Sequence, residues 1–303
     1  MFQLNLRYAL LSIVILITAP FAATSLAQSN ALPDSQPSPT PNSTPIPSLE
    51  SRFFRNVLRD QRAIWTAPFS TKRSDAKWIA PLAVSAAALF STDRQTAGEL
   101  TEVGDHRSRL RISKDVSKAG SFYTTTAIAS SFYLIGRASH SARARETGLL
   151  GLEALFNAEI VTSVLKVVSE RQRPIVDHAS GEFFDGGRSF PSGHAAGAWS
   201  LATVIAQEYK NRPLVQVAAY SIATAVSVSR FTGQNHFLSD VLIGSAIGYG
   251  IGRYVYHTHH DPGLDVEQDR HKHRGTHSKL LPLVSPVYSR SARAYGARMA
   301  WSF

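Results

Sequence analysis

The chain has 303 residues and a formal charge of +10, from 32 lysines and arginines against 22 acidic side chains. That length supports a sizeable core in one or two domains, and the basic balance fits an anionic partner: nucleic acid, anionic lipid or a phosphorylated substrate. No basic stretch carries the aromatic interleaving of a nucleic-acid motif, and the lack of cysteine excludes disulfides, thiol chemistry and thiolate metal sites.

Residues 1–27 read as a secretory signal. Arg7 supplies the positive region, Ala9 to Ile17 an apolar stretch short for a permanent span, and Ser25-Leu26-Ala27 a small-x-small cleavage site that leaves Gln28 first. Left uncleaved, the same segment is an anchor. Residues 28–50 are rich in Pro, Ser, Thr and Asn and read as a linker without a core of its own. Residues 51–77 place Phe53, Phe54, Val57, Leu58, Ile64 and Trp65 near helical spacing. They predict an amphipathic helix that packs on the main domain or on a membrane surface.

Residues 78–258 read as helices throughout. Trp78 to Phe90 is apolar and broken by Ser91-Thr92-Asp93, after which a polar segment runs to Lys118. Gly120 to Ile135, Glu146 to about Glu170, His194 to Tyr209, Pro213 to Val228 and Leu238 to Tyr256 follow. Gly244, Gly248, Gly250 and Gly252 on the last of these predict close helix packing. The fold class is therefore all-α, a bundle of about six core helices. Several helices are apolar over roughly 14–18 residues, a length shared by buried core and membrane span. The mean hydropathy of −0.09 favours a soluble bundle in an exported compartment. Residues 259–303 read as a basic tail. His257, His259, His260, His271, His273 and His277 crowd this end of the chain, but no i, i+4 pair among them has an evident carboxylate partner. Leu281-Pro282-Leu283-Val284 and Ala297 to Phe303 flank a polar turn and allow a short C-terminal β-hairpin.

The chemistry gathers around Arg188-Ser189-Phe190-Pro191-Ser192-Gly193-His194. Ser192 is a good N-cap, Gly193 lets a ligand approach the backbone, and a helix N-terminus offers free N–H groups and partial positive charge to a phosphate. Taken alone, this is equally a capped helix with a surface histidine. Upstream lie Lys166 and, seven residues on, Arg173-Pro174, read as one helix face that Pro174 ends. Downstream lie Ser229-Arg230, His236 and Asp240, the last two at i, i+4 and so able to touch on one helical turn. Asp177, His178, Asp185 and Ser189 read as loop residues that at most shape a mouth.

Together these segments resemble the tripartite signature of the type 2 phosphatidic-acid phosphatase and vanadium haloperoxidase superfamily, K-x6-R-P, P-S-G-H and S-R-x5-H-x3-D, with all eleven fixed positions in order. The resemblance covers about residues 78–258 and implies a set of roles. Lys166, Arg173, Ser192, Gly193 and Arg230 bind phosphate. His236 is the nucleophile that becomes phosphohistidine, Asp240 orients it, and His194 protonates the leaving group. It implies no cofactor and no metal, with vanadate an inhibitor. The substrate would be a phosphorylated lipid such as phosphatidate or a small soluble ester, with membrane-surface contact allowed and no nucleic acid. Two alternatives stay open: a vanadium-dependent haloperoxidase, with vanadate as cofactor on His236, and a non-catalytic phosphate or lipid binder.

Overall fold

The computed structural model of the chain describes residues 49–70, 72–102, 106–174, 181–264, 283–289 and 294–300. The signal, most of the linker, and His271, His273 and His277 lie outside these residues. Among the described residues eight α-helices run in order: α1 (Leu49–Thr66), α2 (Ala76–Glu102), α3 (His106–Lys118), α4 (Phe122–Ala138), α5 (Ala142–Ser169), α6 (Gly193–Glu208), α7 (Pro213–Thr232) and α8 (Leu238–His259). Two strands, β1 (Leu283–Ser289) and β2 (Ala294–Ala300), pair antiparallel with Leu283 opposite Ala300. The architecture is all-α with a C-terminal hairpin.

The helix starts follow local chemistry. The Ser121 and Ser141 hydroxyls accept from the backbone N–H groups of Thr124 and Ala144 at 3.2 and 3.3 Å, and Pro213 opens α7 where its missing N–H costs nothing. One expectation fails. Ser91-Thr92-Asp93 does not break α2, because the Ser91 and Thr92 hydroxyls turn back onto the Ala88 carbonyl at 2.7 and 3.1 Å within an unbroken helix. The polar segment before Lys118 is also helical: α3 packs on α7, with Ser113 Oγ 2.7 Å from Thr232 Oγ1.

Helix α6 is central and packs against α5, α7 and α8. Its small residues make this possible. Ala196 and Val204 meet Leu150, Ala154 and Val161 of α5 and Ile251 and Val255 of α8, while Ala198 and Ala202 meet Ala223 and Val226 of α7. The α6–α8 seam is closest where glycines stand. A Cβ on Gly248 would lie 2.1 Å from the Ala196 carbonyl oxygen, and one on Gly252 2.5 Å from that of Ser200. Gly250, by contrast, faces open space. Gly248→Ala is therefore expected to cost about 1–3 kcal/mol, because backbone cannot yield as a side chain can. Gly250→Ala is expected to be neutral or mildly stabilising. Thermal unfolding of both variants checks the contrast.

Helix α1 is tied to the bundle. Gln61 Nε2 donates to Asn157 Oδ1 at 2.8 Å, and Asn157 Nδ2 donates to Asp60 Oδ2 at 3.2 Å. Helices α5 and α7 are long and apolar enough to cross a membrane. α5 is mostly buried in the fold, whereas α7 exposes Leu214, Val217, Ile222 and Val228.

Candidate active site

The sequence-predicted residues come from four helix ends. Lys166 is in the last turn of α5, Ser192 and His194 open α6, Arg230 is in the last turn of α7, and His236 and Asp240 bracket the start of α8. A cleft lined by Phe122, Leu155, Glu159, Lys166, Gly193 and His194 opens here. The Lys166 ammonium lies so near Gly193 that a Cβ there would stand 2.8 Å from Nζ. Glycine at 193 thus gives the cation its place beside the helix N-terminus.

Arg173 reaches the site by a different route from the one its spacing implied. α5 ends at Ser169, where Glu170 adopts a left-handed conformation (φ 45°) and its N–H closes onto the Lys166 carbonyl. Arg173 therefore follows the helix in non-helical chain, and Pro174 does not end it. The left-handed cap turns the chain so that it pairs with residues 181–189. Gln172 N–H donates to Glu182 O at 3.0 Å, Gly187 N–H to Glu170 O at 2.7 Å, and Ser189 N–H to Arg171 O at 2.8 Å.

His236 is 2% exposed, and its Nδ1 lies 2.7 Å from the Ser189 carbonyl oxygen but 3.7 Å from Asp240 Oδ2. A carbonyl only accepts, so Nδ1 carries the proton and Nε2 carries the lone pair. The orienting acceptor is thus the Ser189 carbonyl, and Asp240 stands behind it as an ion-pair neighbour. Asp240 Oδ2 instead accepts from the Phe237 N–H at 2.9 Å and from the Ser189 hydroxyl, while Oδ1 meets Arg171 Nη1. Burial works against the Asp240 carboxylate, but His236 and Arg171 hold it below the ordinary carboxylate range. Ser189 is accordingly part of the site and not a passive loop residue.

Arg171 is the hub that the motif does not include. It is 2% exposed; its Nη2 pairs with Asp93 Oδ2 at 2.8 Å, Nη1 donates to Ser239 Oγ at 2.8 Å, and Nε donates to Gly181 O at 3.0 Å. Its guanidinium stacks among Phe90, Phe183 and Phe237, with centroids 5.0, 5.0 and 4.4 Å away. One sequence signal pointed here: Asp93 is the lone carboxylate between residues 76 and 98, and a buried acid needs a cation.

Burial, helped by the positive charges of Arg230, Lys166 and Arg173, pushes His194 down to about 3. Burial, partly opposed by Asp240, holds His236 at about 4. Both imidazoles are neutral at physiological pH. Two polar groups complete the anion-binding character. Ser192 Oγ and Arg230 Nε are buried without a hydrogen-bond partner among the described residues, while Arg230 Nη1 is anchored by Ser117 Oγ. Asp177 and His178 lie outside the described residues.

Cations from two helix ends and a loop stand around two neutral histidines, an arrangement that suits a tetrahedral oxyanion. Residues 148–263 match the family described as PAP2 superfamily. The chain is 42% identical over 69 residues to the lipid A 1-phosphatase of Porphyromonas gingivalis, covering 22% of this chain and 16% of that protein. It is 30% identical over 143 residues to a PA-phosphatase related-family protein of Dictyostelium discoideum, covering 41% and 52%. The chain thus spans about half or less of these curated relatives. The crystal structure of a transmembrane PAP2 type phosphatidylglycerolphosphate phosphatase from Bacillus subtilis aligns over 72% of this chain and 94% of that one, at 22% identity and a TM-score of 0.43.

Proposed function

We propose that the chain is an exported phosphatase that hydrolyses a phosphorylated lipid through a phosphohistidine on His236. The observation that carries this reading is the fixed tautomer of His236. With Nδ1 committed to the Ser189 carbonyl at 2.7 Å, Nε2 is a lone-pair nucleophile in a buried, cation-lined site. Lys166, Arg173, Arg230 and the amides at the start of α6 neutralise the equatorial oxygens of the transferring group, work that a metal performs elsewhere. His236 attacks phosphorus, the P–O bond to the leaving alcohol breaks, and His194 delivers a proton to that oxygen. His194 then takes a proton from water as water attacks the phosphohistidine; phosphate leaves with that proton, and both histidines return to their neutral forms.

His194 is neutral in the free site, so its proton must arrive with the substrate. A phosphate anion among the cations cancels the repulsion that depresses its pKa, and a monoanionic ester carries the proton in. Phosphate lipids suit the apolar wall of the cleft and the apolar side chains that α7 exposes. The reading of residues 1–27 as a signal supports export.

The test is hydrolysis by the full chain of phosphatidate, a lipid A phosphate and a soluble nitrophenyl ester. Turnover is expected to survive EDTA and to be blocked by vanadate. No phosphate release from any ester would overturn the proposal. Bromoperoxidation with added vanadate would move the chain to the haloperoxidase reading.

A further inference from the structure

The bundle carries a second group of chemistry-bearing side chains, drawn from α1, the first half of α5 and the C-terminal ends of α6 and α8. Two buried carboxylate–histidine triads lie there, Asp60 with Glu153 and His259, and Glu146 with Glu208 and His260. The histidines that read as a solvated tail are therefore packed against acids supplied by α1, α5 and α6. The two triads differ in geometry. His259 Nε2 lies 3.0 Å from both Asp60 Oδ1 and Glu153 Oε1, which is hydrogen-bond length. Two carboxylates at hydrogen-bond distance from one ring nitrogen are the arrangement of a shared proton.

In the other triad His260 Nδ1 stands 3.3 Å from Glu146 Oε2 and 3.5 Å from Glu208 Oε1. A charged N–H···O⁻ bond would draw one oxygen in to about 2.7–2.9 Å. Ligand atoms about 2.1 Å from a tetrahedral metal ion lie about 3.4 Å from one another. Among the described residues those two carboxylate oxygens are buried without a hydrogen-bond partner, on residues 2% and 0% exposed. The remaining oxygens are occupied and hold the ligands in place. Glu146 Oε1 accepts from the Asp261 N–H at 2.7 Å, and Glu208 Oε2 faces Arg143 Nη1 at 3.5 Å. The His260 ring stacks on Tyr256, centroids 4.4 Å apart.

The geometry points to Glu146, Glu208 and His260 as a structural site for one divalent transition-metal ion of the zinc class, with water as fourth ligand. Two neighbouring buried carboxylates repel, and a divalent cation between them relieves that repulsion. The metal would fasten the end of α8 to α5 and α6. The competing occupant is a proton on His260, with Arg143 balancing the second carboxylate.

The experiment uses the full chain without a polyhistidine tag, with His271→Ala, His273→Ala and His277→Ala as background to silence histidines elsewhere. Metal content after dialysis against a zinc buffer, the absorption of the Co²⁺ form and the melting temperature are read together. One zinc per chain, intense tetrahedral cobalt bands and a rise of roughly 5–10 °C are expected. Glu208→Gln and Glu146→Gln should each lose all three, while His259→Gln keeps the zinc. Circular dichroism of the metal-free variants shows whether they fold. Absence of zinc from the background protein overturns the site in favour of the proton. Zinc retained in both glutamine variants, or lost only in His259→Gln, overturns the ligand assignment. Phosphate hydrolysis by the zinc-free protein keeps this question separate from the one at His236.

Discussion

Replacing His236 with alanine is expected to lower kcat by roughly 10⁴-fold or more on every phosphate ester and to abolish the acid-labile phosphoenzyme. Losses of that order follow removal of a covalent nucleophile, the role proposed for His236. Rapid quench with labelled substrate measures the intermediate directly, and label persisting on the variant would place the nucleophile elsewhere. The same measurement separates His236 from Asp240. Asp240 lies 3.7 Å from the ring but forms a buried pair with Arg171. Asp240→Asn should therefore first cost stability, about 3 kcal/mol, with Asp93 still present to share Arg171. The phosphoenzyme should still form in the fraction that stays folded, because the Ser189 carbonyl continues to fix the tautomer.

His194→Ala is expected to lose about 10²–10⁴-fold on an alkyl phosphate and much less on a nitrophenyl phosphate. An alkoxide leaves only with a proton, whereas a nitrophenolate is stable without one. With the good leaving group, the phosphoenzyme should form normally and then hydrolyse slowly, because the same imidazole must activate water. Pre-steady-state bursts and kcat/KM on both esters read the two steps. Equal losses on the two esters would reduce His194 to a phosphate ligand. The pH profile adds a signed expectation. Burial lowers the His236 pKa to about 4, so the imidazole is a competent nucleophile above that value. kcat/KM should fall as pH drops through about 4. At the other limb it should fall as pH rises past about 6, where the ester loses the proton that His194 needs.

The bundle and the signature were legible because both are local. Helical periodicity reports itself residue by residue, and K-x6-R-P, P-S-G-H and S-R-x5-H-x3-D name the side chains that meet at the helix ends. What escaped was set by backbone and by distance in sequence. Spacing alone places Lys166 and Arg173 on one helix face, and nothing in it announces that Glu170 turns left-handed between them. A carbonyl has no letter, so the Ser189 oxygen that orients His236 could not be read. Asp240 was the visible partner because it is four residues away. Arg171 and Asp93 are 78 residues apart, and only folding makes them a pair. His259 and His260 looked solvated for the same reason, since their acids come from α1, α5 and α6.

The Arg171–Asp93 pair bears on how this domain can be cut from its chain. The family match begins at residue 148, yet Asp93 stands on α2, far ahead of it. Expressed by itself, the segment 148–263 would bury a guanidinium with half of its counter-charge missing, next to the loop that carries Ser189. It would also expose the face of α5 that meets α1 and α4. The stretch that carries the family's letters is thus not a module that can be grafted or swapped. Its smallest transferable unit begins with α1.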